Sequence, residues 1–134
     1  MTTITIEPMS EYVGSEILGI DLRRADERDI ATIKATLAER GLVVFRDQQL
    51  SEVDHIAFAR LVGPIVVNNY FPENGLYPEI AEVRKAETQM MNIGGGWHTD
   101  HSYDEAPAMG SVLVARELPP TGGDTLFASM GAAW

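Results

Sequence analysis

The chain contains no cysteine among its 134 residues. Disulfides, thiolate nucleophiles and sulfur-ligated zinc or iron–sulfur centres are thereby excluded, so a metal bound here must use histidine and carboxylate. Positive charge is scarce as well. Ten Lys plus Arg stand against twenty Asp plus Glu, a net charge of −10, and no basic cluster occurs along the chain. That balance excludes nucleic acid as a partner, because phosphate recognition needs a positive footprint. No apolar run approaches the ~20 residues that span a bilayer. The opening MTTITIEPMSE has neither the basic region nor the apolar stretch of a secretory leader. A cytoplasmic protein without membrane contact is expected.

What is present suits one folded core. Hydrophobic residues make up 45% of the chain, and a domain of this size buries roughly two thirds of the surface its unfolded chain exposes. TITIE and EILGIDL carry apolar residues at strand spacing, with Pro8 and Gly14 as punctuation, and predict a hairpin-like opening. In DERDIATIKATLAERG, Ile30, Ile33 and Leu37 recur at helical spacing; Asp26 or Asp29 can accept the first free N–H groups and Gly41 supplies the stop. LVVF, Leu42 to Phe45, reads as a strand buried on both faces. SEVDHIAFARLVGP predicts a second helix with Ser51 as N-cap, Asp54 three residues on, and Val53, Ile56, Ala57 and Leu61 on its core face. EIAEVRKA, GSVLVARE and the start of GGDTLFASM read as further strands. FASMGAAW closes the chain without a cap, a breaker or a polar tail, so an end in mid-architecture is expected.

Chemistry concentrates in GGGWHTDHSYDEAP, Gly94 to Pro107, where His98 and His101 crowd against Asp100, Asp104 and Glu105. If WHTD is extended, His98 and Asp100 leave the backbone on the same face while Thr99 points away. An imidazole and a carboxylate can then converge on one cation, two corners of the facial triad used by non-haem Fe(II) oxygenases. The preceding glycines let the backbone approach a ligand or adopt angles closed to other residues. Spacing alone nevertheless favours an ordinary pair, a surface hydrogen bond or a helix cap. His101, one residue on, faces away from such a metal in an extended strand, and His55 reads as a solvated helical side chain beside Asp54. The loop NNYFPENGLYPE is rich in rings; it is either a packed surface loop or a pocket wall.

Three blocks shift that balance: GLVVFRDQQLSEVDHIAFARLVGPI, then WHTD with its downstream proline, then ELPPTGGDTLFASM with its Gly-Gly-Asp-Thr. In content, order and separation they resemble the taurine/alkylsulfonate and 2,4-dichlorophenoxyacetate dioxygenases, the TauD/TfdA family, over essentially the whole chain. The resemblance implies an α+β protein: a double-stranded β-helix (jelly roll, cupin-like) with flanking helices. Residues 1–134 would be the N-terminal portion of a single dioxygenase domain. It implies Fe(II), with 2-oxoglutarate and O2 as cosubstrates, and hydroxylation of a small organic substrate with release of succinate and CO2. His98 and Asp100 fall on the first two metal ligands of that family. Thr125 falls on the threonine that contacts a 2-oxoglutarate carboxylate.

Departures carry their own expectations. The second metal histidine and the clamping arginines belong to the C-terminal half of such enzymes, so residues 1–134 alone are expected to show no turnover. Asn68 stands where the taurine enzyme has a sulfonate-facing histidine, and Gly94 replaces an asparagine near the substrate amine, which disfavours taurine. Asn68, Tyr70, Phe71, His101 and Tyr103 become substrate-pocket candidates, with ordinary packing as the alternative for each, and suggest an aromatic or apolar element in the substrate. Unpaired strand edges predict self-association into a homo-oligomer. Two other readings stay open: a non-catalytic binding or assembly module, and a metal site completed between copies of the chain. A metal-dependent change in mass marks the last. A gene continuing past Trp134 into a histidine and an arginine at family positions marks the dioxygenase.

Overall fold

A computed structural model of the chain describes residues 4–68 and 75–134. Contacts divide it into two compact units, one of residues 1–62 with 114–134 and one of residues 63–113. The first unit carries a three-stranded sheet in the order β1-β2-β3, formed by Thr5–Pro8, Ser15–Leu18 and Val43–Val44. β1 and β2 pair antiparallel, Thr5 opposite Leu18, as the hairpin-like opening predicts. β2 and β3 pair parallel, Ser15 opposite Val43, with helix α1, Glu27–Arg40, in the crossover.

Local chemistry accounts for the ends of α1. The Asp26 carboxylate accepts from the N–H groups of Arg28 and Asp29, and the Asp29 side chain reaches back to the Asp26 N–H, a reciprocal capping box. Gly41 ends the helix at φ 69° and donates its N–H to the Leu37 carbonyl. Helix α2, Glu52–Val62, starts in the same way: the Asp54 N–H donates to Ser51 Oγ while Asp54 Oδ2 accepts from the Ser51 N–H. The Ser51 hydroxyl, donating to Asp54 Oδ2 at 2.6 Å, and then the Ser51 N–H hold the Asp54 carboxyl below its ordinary value. In the 3-10 turn Leu22–Arg24, the Arg23 guanidinium donates to both Asp21 oxygens, at 2.9 and 2.8 Å, and holds that carboxyl down to about 2.

The core of this unit gathers Ile17, Leu22, Ile30, Ile33, Leu50, Ile56, Phe58 and Val62. Each such burial contributes about 1.5–3 kcal/mol before entropy is counted. Two expectations are corrected by this core. On α2 the buried residues are Ile56, Phe58 and Val62, whereas Val53, Ala57 and Leu61 face solvent. Phe58 takes the interior position by packing edge-on against Phe45 at 6.1 Å between ring centroids, burying far more area than Ala57 could. LVVF forms only the two-residue β3, half-buried, because β3 pairs with β2 alone and lies at the edge of the sheet.

The strands expected in EIAEVRKA, GSVLVARE and GGDTLFASM are not formed; apart from an isolated bridge at Ala81, those segments run irregularly. Apolar strand propensity makes no ladder without a partner backbone, and Val83, Leu113 and Leu126 are correspondingly exposed. Residues 130–133 form a single helical turn, α3 (Met130–Ala133), with Ser129 as N-cap. Arg116 ties its segment to the start of α2, donating to the Leu50 carbonyl and lying 3.6 Å from Glu52. Among the described residues no helix is long and apolar enough to cross a membrane.

Arg40 joins the hairpin to the helix. Its guanidinium donates to the carbonyls of Ser10 at 2.6 Å, Glu11 at 3.3 Å and Gly14 at 3.4 Å, and its own carbonyl accepts from the Gly14 N–H at 3.0 Å. Arg40→Met keeps the apolar stem and removes the donors. The expected loss is about 2 kcal/mol of unfolding free energy, the scale of a charged hydrogen bond, read as a lowered urea midpoint at unchanged slope. A change below about 0.5 kcal/mol, ordinary for surface substitutions, would show that the clamp is dispensable.

Candidate functional site

The second unit holds the histidine-rich loop. Its backbone forms no ladder, yet His98 and Asp100 converge: His98 Nε2 lies 3.2 Å from Asp100 Oδ1. The two side chains thus converge as residues two apart on one face can, without a ladder to hold them. Two local bonds set the pair. His98 Nδ1 lies 2.8 Å from the Gly96 carbonyl, which can only accept, so Nδ1 carries the proton. Asp100 Oδ2 accepts from the Ser111 hydroxyl at 3.3 Å, leaving Oδ1 turned to the imidazole.

This arrangement has an electrostatic consequence. With its proton on Nδ1, a neutral imidazole presents a lone pair at Nε2, and a carboxylate oxygen 3.2 Å away presents another. A cation placed between them would be attracted by both. Two donors each about 2.1 Å from one metal and at right angles to each other are roughly 3 Å apart, so the observed separation suits a shared divalent ion. Were a metal held at Nε2, the Gly96 carbonyl would be the outer partner that fixes the tautomer of His98. Both side chains are more than half exposed, 56% and 63%, so an imidazolium–carboxylate pair here is screened and weak. Among the described residues no group of three or more His, Asp or Glu could hold a metal, and the pair offers two ligands.

Of the three glycines before Trp97, Gly94 is the one the site requires. It sits at φ 68°, and a Cβ there would lie 3.1 Å from His98 Cε1 and 3.7 Å from Nε2. The imidazole therefore packs over a bare backbone. Sequence reasoning singled out the glycine run but missed Ser111 and the Gly96 carbonyl. Nothing in the sequence marks a serine eleven residues from Asp100 as its partner.

His101 does not continue a strand. It adopts φ 50°, and its carbonyl accepts from the Asp104 N–H at 3.0 Å to close a turn. Its Nδ1 lies 3.3 Å from Asp104 Oδ2, its Nε2 3.4 Å from Asn68 Nδ2, and the Tyr103 ring 5.7 Å away. Asn68, His101 and Tyr103 are thus brought together one residue beyond Asp100. Tyr70 and Phe71 lie outside the described residues. His55 lies on α2, half-buried. Thr125 belongs to the first unit, exposed, directly after a turn in which Gly122 and Gly123 take φ 72° and 78° and a Cβ on Gly123 would meet Pro119 Cγ at 3.0 Å.

The profile of the taurine catabolism dioxygenase TauD, TfdA family matches residues 5–134. The chain belongs to the TauD/TfdA family. It is 34% identical to the (S)-phenoxypropionate/alpha-ketoglutarate-dioxygenase of Sphingobium herbicidovorans, over 96% of this chain and 46% of that protein. With the alpha-ketoglutarate-dependent 2,4-dichlorophenoxyacetate dioxygenase of Cupriavidus pinatubonensis it shares 31% identity, over 98% of this chain and 52% of the relative. A solved structure from Burkholderia xenovorans, provisionally assigned as an alpha-ketoglutarate-dependent taurine dioxygenase, superposes with a TM-score of 0.55 at 30% identity, covering 62% of this chain and 32% of its own. The chain spans about half the length of the curated TauD/TfdA relatives it matches.

Gly94→Ala tests the packing of this loop. It places a methyl group against the His98 ring at a backbone angle that disfavours it, costing about 1 kcal/mol. The Cε1 resonance of His98 is expected to shift while that of His101 stays in place. An unmoved His98 resonance would show that the ring does not pack on residue 94.

Proposed function

We propose that the whole protein is an Fe(II)- and 2-oxoglutarate-dependent dioxygenase of the cytoplasm, folded as a jelly roll in which residues 1–134 are the N-terminal part of one domain. The observation that carries this reading is the tautomer-fixed His98 Nε2 facing Asp100 Oδ1 at 3.2 Å, in a chain whose relatives are alpha-ketoglutarate-dependent dioxygenases. His98 and Asp100 would hold the iron through those two atoms. When bound, Fe(II) supplies the redox chemistry that couples decarboxylation of 2-oxoglutarate to hydroxylation: substrate C–H, O2 and 2-oxoglutarate give substrate C–OH, succinate and CO2. The Thr125 hydroxyl would donate to a 2-oxoglutarate carboxylate, with the Gly122–Gly123 turn setting where the segment begins.

The substrate we propose is a small organic acid with an aromatic or apolar element, of the aryloxyalkanoic kind that two relatives are named for. Gly94 offers no side chain to a substrate amine and Asn68 no imidazole to a sulfonate, which argues against taurine. Asn68, Tyr70, Phe71, His101 and Tyr103 are assigned to the substrate side of the site. The exposed Leu118, Leu126, Phe127 and Trp134 support self-association into a homo-oligomer.

In the whole protein, His98→Ala and Asp100→Ala are each expected to abolish succinate formation with the circular-dichroism spectrum unchanged. (S)-phenoxypropionate should stimulate oxygen consumption where taurine does not. Turnover retained in both variants would refute the ligand assignment. Thr125→Val removes a charge-assisted hydrogen bond of about 1.5–3 kcal/mol, so the apparent affinity for 2-oxoglutarate should fall roughly ten- to hundredfold. An unchanged affinity would return Thr125 to a purely structural place in its turn.

A further inference from the structure

His101 is a bulky residue in the left-handed region, φ 50°, a conformation that costs about 1–3 kcal/mol and persists only where its surroundings over-determine it. It directly follows Asp100. Its ring is what holds it there, with Nδ1 against the Asp104 carboxylate at 3.3 Å and Nε2 against the Asn68 amide at 3.4 Å, an anchor thirty-three residues earlier in the chain. The side chain is 29% exposed. Both ring nitrogens are thus engaged within the protein. The turn they stabilise, closed by the Asp104 N–H on the His101 carbonyl and by the Thr99 and Ser102 hydroxyls 2.6 Å apart, redirects the chain at the point where the Asp100 carboxylate bends back to His98.

We infer that His101 is a positioning residue: anchored by Asn68 and Asp104, it holds the left-handed turn that keeps Asp100 Oδ1 in register with His98 Nε2. This rests on the reading of His98 and Asp100 as metal ligands and adds to the place of His101 on the substrate side a task in positioning Asp100. If residue 101 relaxes into the extended or right-handed region, the peptide after Asp100 swings and the carboxylate loses its fixed distance to the imidazole. Metal affinity then falls although neither ligand has changed, as happens when outer partners of metal ligands are removed.

The test uses Mn(II), a redox-stable probe, bound to the whole protein and followed by its paramagnetic resonance, with the Co(II) ligand-field spectrum as a second readout. His101→Ala is expected to weaken Mn(II) binding about tenfold and to alter the Co(II) spectrum. His101→Asn, which tolerates the left-handed region and keeps a hydrogen-bonding side chain, should restore most of both. Asn68→Ala removes the distant anchor without touching the loop and should shift both readouts in the same direction, which keeps the test informative if His101→Ala does not fold. Mn(II) binding and Co(II) spectra unchanged in both alanine variants would overturn the inference. Failure of the underlying reading is distinguishable, since His98→Ala and Asp100→Ala would then themselves leave Mn(II) binding intact.

Discussion

Arg40 joins the first unit at one point by donating to three carbonyls of the turn between β1 and β2. In the turn between β1 and β2 the Gly14 carbonyl accepts from the Met9 N–H, and the guanidinium at the end of α1 donates to the carbonyls of Ser10, Glu11 and Gly14 together. Because the Arg40 carbonyl also receives the Gly14 N–H, and the Leu42 carbonyl the Ser15 N–H, the helix end, the hairpin and the start of β3 share one junction. Ile17 and Ile33, each about 2% exposed, pack beneath it. The Arg40 Nε is buried without a partner among the described residues, which sets the worth of the clamp below that of a fully satisfied guanidinium.

The histidine loop follows another logic. It has little buried apolar area, and its order comes from short polar bonds, each fixing one torsion: Gly96 to His98, Ser111 to Asp100, Asp104 and Asn68 to His101. A loop of this kind costs stability to hold in one conformation, and left-handed His101 together with Gly94 adds to that cost. The one non-glycine residue of this loop with positive φ, His101, thus stands directly beside the His98–Asp100 pair.

The local grammar of the chain was legible. The limits of α1 followed from Asp26, Asp29 and Gly41, the start of α2 from Ser51 and Asp54, and the opening hairpin from strand spacing, because caps and turns are decided by residues within four positions of one another. Membership of the TauD/TfdA family was legible in the same way, since motif spacing is a property of the sequence itself. His98 and Asp100 could be named as a pair from two-residue spacing, although no ladder holds the segment that carries them.

The sequence by itself therefore determined the capped helices, the hairpin, the absence of cysteine chemistry and of a basic cluster, and the family. Tertiary structure alone decided which side of α2 is buried, because that depends on Phe45 arriving from another element to meet Phe58. It likewise decided that the apolar runs after residue 80 form no ladder, because a strand exists only where a second backbone supplies hydrogen bonds. It also brought Asn68 to His101 and Ser111 to Asp100. These are contacts between residues far apart in the chain, and their energies depend on distances that no local pattern encodes.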